Sequence, residues 1–318
     1  MQLLYANFTN QTADENEFRN LLEETTILLA NSKAVAEEAF SDSVAVISVN
    51  HHPRFKLLEV EDLTKVSLDR ELEIFKDQTS NPSNYTFIFV GNFSDSIIMP
   101  LIEKYIASLP IRKKISNGEY IKTWVQEDLY CHFKREMETA KSMVKMDWFC
   151  ESFPYTLENK IKVDLATRIL NMVYTQIVRE ENSATYDCSA SNYFIRGHEN
   201  EVQCGFEAFC SMNPEKTSSV LNLMQSEFEK LSSDIDDTMF GNAKEAMLKE
   251  LEEFIHTKNG FWIDAIWQNE RYNFDTYTDR ENTIKRVTKE EIMNFISEFL
   301  KTSHKCETLM EPELNAGQ

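Results

Sequence analysis

Three observations predict an α+β fold, with a mostly antiparallel sheet packed on helices and a partial copy of such a unit before it. From residue 129 onward the pattern runs strand, strand, long helix, hairpin and then helices, an order that builds an α+β layer and not a doubly wound sheet. Seven glycines and seven prolines in 318 residues argue against a turn-rich all-β protein. Residues 1–115 offer many helical stretches but one strand-like run, so they read as the back half of a domain whose other strands lie elsewhere.

That run is Tyr85 to Val90, aromatic and β-branched throughout, which predicts a strand buried on both faces. Before it, Glu15 to Val49 is helical in pattern, interrupted at Asn31-Ser32. Val44 to Val49 suits a strand as well as a buried helix, and is read here as helix, ended by His51-His52-Pro53. Asp62 to Phe75 gives one or two further helices. After the strand, Gly91-Asn92 supplies a turn and Ser94 with Asp95 an N-cap. Ile97, Ile98, Leu101, Ile102, Tyr105 and Ile106 then recur at helical spacing until Leu109-Pro110.

Ile111 to Glu119 is basic and polar, and falls where a linker is expected; the division is 1–115, linker 116–128, and a complete domain over 129–318. Leu129 to Lys134 and Ser142 to Glu151 are strands, the second alternating through Met143, Lys145, Asp147 and Phe149. Leu157 to Val178 is a long helix with Ile161, Leu165, Ile169, Met172, Val173 and Ile177 on one stripe. Ala184 to Ile195 and Glu201 to Ser211 form a hairpin around Gly197-His198. Helices follow over Glu215 to Leu231, Asp236 to His256, Phe261 to Tyr272 and Lys289 to Leu300, with Cys306 to Glu311 as a last short strand.

Composition narrows the function. Apolar residues make up 42%, enough for a real core. The net charge of -20 repels nucleic acid and anionic lipid, so neither is an expected partner. A solvated acidic surface accounts for that charge, which would also favour basic peptides. The six cysteines show no C-x-x-C spacing, and most are expected to be free and buried. No apolar run approaches a membrane span, and the start MQLLYANFTNQTADENEF lacks a basic leader with an apolar segment, so no signal peptide is expected there.

A zinc hydrolase needs histidines and a carboxylate converging on the metal. The sequence contains neither H-x-x-E-H nor H-E-x-x-H, and of its six histidines only His51 and His52 adjoin. Glu252 and His256 stand one helical turn apart, for which a solvated helix face is the ordinary explanation. Met137, Met143 and Met146 suit gap-filling in a core better than a sulfur cluster.

Arg179, after the long helix, and Tyr186, at the start of the next strand, are the residues singled out for binding. Seven residues let the chain turn back so that both face one spot. A planar guanidinium suits a peptide carbonyl or developing oxyanion, and a phenol adds a donor. From spacing alone the plainer explanation is that Arg179 answers the helix dipole and pairs with Glu180 or Glu181.

Five segments together resemble one family, the pitrilysin/insulinase-like zinc peptidases, in which the metal motif is H-x-x-E-H. TFIFVGNFSDSIIMPLIEKYIASLP is similar to its strand-and-helix signature, NHHPRFKLLEVEDLTKVSLDRELEIFKD to the stretch before it, and VREENSATYDCSASNYF to a helix-to-strand segment with Arg and Tyr seven apart. KNGFW at Lys258 to Trp262 resembles a turn between two late helices, read here as structural, with a left-handed Gly260 and Trp262 as anchor. The order of elements from Leu129 to Glu311 fits one whole family domain. The likeness covers nearly the whole chain, most closely that of bacterial envelope-type members, which would place it in the periplasm or cell envelope.

The resemblance implies a metallopeptidase-like fold: residues 1–115 as the latter part of the third of four homologous domains, and the rest as the fourth. It implies that Arg179 and Tyr186 hold a peptide substrate near a zinc carried by the N-terminal catalytic half, and that this chain has no metal site and hydrolyses nothing alone. Where the family has a Gly-Gly pair before Thr-Tyr, this chain has Asn182-Ser183-Ala184, which also tolerate turns. Two alternatives share the fold: a natural non-catalytic Arg/Tyr subunit that pairs with a separate zinc subunit, and a non-catalytic assembly protein.

Overall fold

The computed structural model describes residues 1–111, 121–176, 185–197 and 201–313, with backbone alone at 185 and 186. Helices α1 (Gln2–Thr9), α2 (Glu15–Ser32), α3 (Ala36–Ile47), α4 (Val60–Leu63), α5 (Leu68–Gln78) and α6 (Asp95–Tyr105) come first. Strands β1 (Leu129–Arg135) and β2 (Ser142–Cys150) precede the long helix α7 (Leu157–Val173) and the strands β3 (Thr185–Arg196) and β4 (Val202–Met212). Helices α8 (Thr217–Lys230), α9 (Asp237–Thr257), α10 (Asn259–Tyr272), α11 (Arg280–Arg286) and α12 (Lys289–Thr302) lead to β5 (His304–Pro312). Side chains stop orphan backbone donors where helices begin: Thr156 accepts from Asn159 N, Asp236 from Met239 N, and Thr288 forms a capping box with Glu291.

The five strands run in the order β1-β5-β2-β4-β3. Only β1 and β5 are parallel; the other pairings are antiparallel. An α+β fold with a mostly antiparallel sheet packed on helices is therefore what the chain adopts.

The central strand β2 is covered on both sides. Val144, Met146, Trp148 and Cys150 enter the main core with Ile161, Leu165 and Ile169 of α7, Met224 and Phe228 of α8, and Ile292, Ile296 and Phe299 of α12. Ring centroids of Trp148 and Phe228 lie 4.5 Å apart, and those of Phe206 and Phe299 5.1 Å apart. On the opposite face Met143 and Phe149 meet α3: Phe40 packs with Met143 and Met310, Ile47 with Phe149, Val125 and Cys306. The alternation read along β2 thus separates two buried faces, not a buried face from a wet one. Met143 and Met146 fill core positions as the sequence predicts, and all six cysteines are unpaired.

Several expectations are corrected. Tyr85 to Val90 forms no strand: Tyr85 is extended (φ -113°, ψ 141°), but among the described residues no strand pairs with this run. Its rings pack instead on α1, with Phe8 5.1 Å from Tyr85 and 5.9 Å from Phe87. Ser94 occupies the N-cap of α6 but its side chain makes no capping bond. Gly260 is not left-handed; it lies inside α10, and no glycine among the described residues has positive φ. Trp262 does anchor that turn, donating its Nε1–H to Ile255 O at 2.9 Å. Helix α11, seven residues long, was not anticipated. The linker expected at 116–128 lies partly outside the described residues.

Because Phe206 is wholly buried between Phe228 and Phe299, Phe206→Ala should cost roughly 3–5 kcal/mol in urea unfolding. Leu3→Ala, at a position 83% exposed, should change stability by less than about 0.5 kcal/mol. Equal effects would contradict this placement of the core.

Candidate functional site

The segment expected to carry the binding pair follows α7. Arg179 lies outside the described residues. Tyr186 lies on β3, but its side chain is outside the description too. The described residues on either side are well tied. Tyr174, fully buried just past α7, donates its hydroxyl to Met224 O at 2.9 Å and pins the helix end against α8. Asn171 Oδ1 accepts from Ala190 N at 2.7 Å, while its amide donates to Ala190 O, so α7 takes up backbone groups of the edge strand β3. Asn192 Nδ2 adds a bond to Thr167 Oγ1 at 2.9 Å. The last turns of α7 and the middle of β3 are held together by these bonds.

The register of β3 on β4 skips Tyr186: Thr185 stands opposite Met212 and Asp187 opposite Ser211. A bulge of this kind bends an edge strand and re-aims the extra residue. Beside the end of α7 a cleft of about 900 Å³ opens, lined by Asn171, Thr175 and Gln176 and by Lys230, Asp234 and Asp236 from the α8–α9 side.

A second concavity, of about 360 Å³, lies on the sheet face that α3 only partly covers. At its floor is Asp147, 8% exposed. Tyr193 donates its hydroxyl to Asp147 Oδ2 at 2.9 Å, while Oδ1 is buried and accepts no hydrogen bond from the protein. The tyrosine ring reaches that far because it lies flat over Gly205, its cross-strand partner; a Cβ at position 205 would fall 2.3 Å from the ring. Lys145 and Glu207 form an ion pair at the rim. Trp124, Val125, Phe55, Phe149 and Ile195 supply apolar walls, and Gln203 Nε2 fastens one wall by donating to Val125 O at 3.2 Å.

Burial, and then the nearby Glu207 carboxylate, push the Asp147 carboxyl up to about 7, against the opposing pull of the Tyr193 hydroxyl and Lys145. The Tyr193 phenol is driven far above its ordinary range by burial and by Asp147. The Cys306 thiol, opposite Asp147 on β5, is pushed up to about 12 by burial first and Asp147 second.

Among the described residues no group of three or more His, Cys, Asp or Glu side chains is placed to hold a metal ion, so those residues do not fit a zinc centre. No helix among them is long and apolar enough to cross a membrane. Sequence reasoning noted Asp147 only as part of a strand pattern. Its one local signal is a carboxylate between Met146 and Trp148, and nothing short of the strand register brings it to Tyr193 and Gly205.

The Asp147 proton makes stability fall with rising pH. The folded value near 7 lies above the ordinary value of 3.8, so between about pH 4 and 7 the native state keeps a proton that the unfolded chain releases. Over that window wild type should lose up to about 4 kcal/mol relative to Asp147→Asn, levelling off above pH 7. Denaturant unfolding of both at pH 4, 5.5 and 7.5 measures this; parallel curves would refute it.

Comparison with known proteins assigns the chain. The profile of the family described as "Peptidase M16 inactive domain" matches residues 70–247. A zinc protease PQQL-like protein of Arabidopsis thaliana is 22% identical over 294 residues, covering 84% of this chain and 29% of that protein. The crystal structure of the periplasmic protease PqqL from Escherichia coli superposes with a TM-score of 0.84 at 17% identity, over 98% of this chain and 34% of PqqL. That of pitrilysin gives a TM-score of 0.66 at 14% identity, over 99% of this chain and 34% of pitrilysin. The chain thus spans about a third of each of these relatives. It belongs to the peptidase M16 inactive-domain family, within the pitrilysin/insulinase-like zinc proteases.

Proposed function

We propose that the chain is the substrate-clamping, C-terminal half of a pitrilysin-like zinc endopeptidase and is inactive by itself. The observation that carries this reading is the match over residues 70–247 to a family described as inactive, in a chain that spans a third of its protease relatives. Arg179 and Tyr186 are the clamp. The guanidinium and the phenol would hold the carbonyl of a peptide substrate, the first by a charged planar fork and the second by one hydroxyl donor. The bulge that skips Tyr186 and the locking of α7 to β3 through Asn171 support a spot defined tightly enough for such work. The metal, which polarises a water for attack, would belong to an N-terminal catalytic half or a separate zinc-binding subunit.

On the same reading residues 1–115 are the latter part of an incomplete third domain, 116–128 a linker and 129–318 the fourth domain. Two features of the N-terminal region support this. The run from Tyr85 to Val90 lacks ladder partners among the described residues, and its backbone groups need them. Leu21, Ile27, Leu28 and Ile97 are exposed on helices that would otherwise bury them.

The full 318-residue chain with zinc should cleave no peptide. Mixed with a matching H-x-x-E-H half carrying zinc, it should restore endopeptidase turnover. In that complex Arg179→Ala should lower kcat/KM by about 10² to 10³, and Tyr186→Phe by roughly tenfold, with zinc content unchanged. Turnover unaffected by Arg179→Ala would remove the clamp from the mechanism.

A further inference from the structure

The Asp147 concavity plays no part in the clamp, yet it has the attributes of a built site. Strand sheets seldom bury an aspartate without giving both oxygens partners, because an unsatisfied buried carboxylate oxygen is costly. Here Tyr193 satisfies Oδ2 alone, Oδ1 is buried without a protein partner, and the residue lines a space of about 360 Å³. That volume suits one long side chain or a small organic molecule. Its charge is also defined. Lys145 is spent on Glu207, so with Asp147 ionised the lining carries one net negative charge. The walls are aromatic and aliphatic, and aromatic faces attract cations as well as apolar stems.

These features select among ligands. A hard metal ion would require several more oxygen ligands than Asp147 and Glu207 supply, and no such group is present among the described residues. An anion would face Asp147. An organic cation on an apolar stem satisfies every feature: its head is drawn to the Asp147 carboxylate, and its stem lies along Trp124, Phe149 and Ile195. We propose that this pocket is a subsite for a basic side chain of a bound peptide, with the Asp147 carboxylate receiving a lysine ammonium or an arginine guanidinium. Tyr193 and Gly205 are positioning residues, the glycine by leaving the ring room to reach Oδ2. The peptide origin of the cation rests on the peptidase reading; the cation chemistry does not.

Ionisation of Asp147 couples binding to pH. The charged or titratable groups facing it are Lys145 on its own strand, Glu207 on β4, Tyr193 on β3 and Cys306 on β5. Ser48, Val49, Phe55, Thr123, Trp124 and Val125, from the covering segments, add no group that titrates between pH 6 and 8. His304, whose ring lies 5.8 Å from that of the lining residue Phe149, serves as the control.

Calorimetric titration of the full 318-residue chain tests the proposal with three probes: a blocked Ala-Ala-Lys-Ala-Ala peptide, its norleucine analogue, and n-butylammonium. The lysine peptide should bind at least tenfold more tightly than the norleucine peptide. Its affinity should rise about tenfold from pH 6 to 8, in His304→Gln as in wild type, with about half a proton released per peptide at pH 7. Asp147→Asn, checked for folding by circular dichroism, should abolish the lysine preference. If that variant does not fold, the pH profile and proton release decide. Equal binding of the lysine and norleucine peptides, or a flat profile, would overturn the site. Butylammonium binding without peptide binding would overturn its role as a peptide subsite. The clamp is judged separately, since turnover in the reconstituted protease depends on Arg179 whatever this pocket does.

Discussion

The structure depends on one constraint: the central strand of the sheet is buried on both faces and must be covered twice. Helices α7, α8 and α12 cover the side bearing Val144, Met146 and Trp148. The other side has less apolar surface and receives α3, through Phe40 and Ile47, together with the loop residue Val125. That unequal cover divides the molecule. Complete burial on one side gives a rigid platform; partial burial on the other leaves a concavity in which a carboxylate, a phenol and an ion pair remain within reach of solvent.

Rigidity on the first side matters for the second and for the clamp alike. Asn171 and Thr167 of α7 bond directly to Ala190 and Asn192 of the edge strand, so the strand's position is tied to the helix layer. The same strand carries Tyr193 and, at its bulge, Tyr186. Arg196, at its far end, is stacked between Tyr155 and Tyr272 with its guanidinium carbon 4.1 and 3.8 Å from the ring centroids. One strand, held at three points, therefore carries both the proposed clamp tyrosine and the tyrosine that bonds Asp147 in the second pocket.

Much of the fold was legible because period reports burial. The stripe from Ile161 to Val173 predicted α7, and the alternating β-branched and aromatic runs predicted β2, β3 and β4. Helix α11 escaped because seven residues span too few turns to show a period. Tyr85 to Val90 looked like a strand because its composition is right; pairing, which composition cannot supply, is what it lacks. The cover that α3 gives the sheet was invisible for a related reason: an apolar face announces that it will be buried, not against what. The sites divide the same way. Arg179 and Tyr186 drew attention through resemblance, being seven residues apart in sequence. Asp147 and Tyr193 are 46 residues apart, meet only through strand register, and left no motif to find.

The sheet order has a temporal side. β5 comes after every other strand in the chain, yet it fills the second place in the sheet, between β1 and β2. Until residues 304–312 emerge from the ribosome, β1 has nowhere to attach and β2 offers a bare rail of amides to its surroundings. The nascent chain must therefore hold a gap open through the synthesis of five helices, and completion of the sheet waits for residues 304–312.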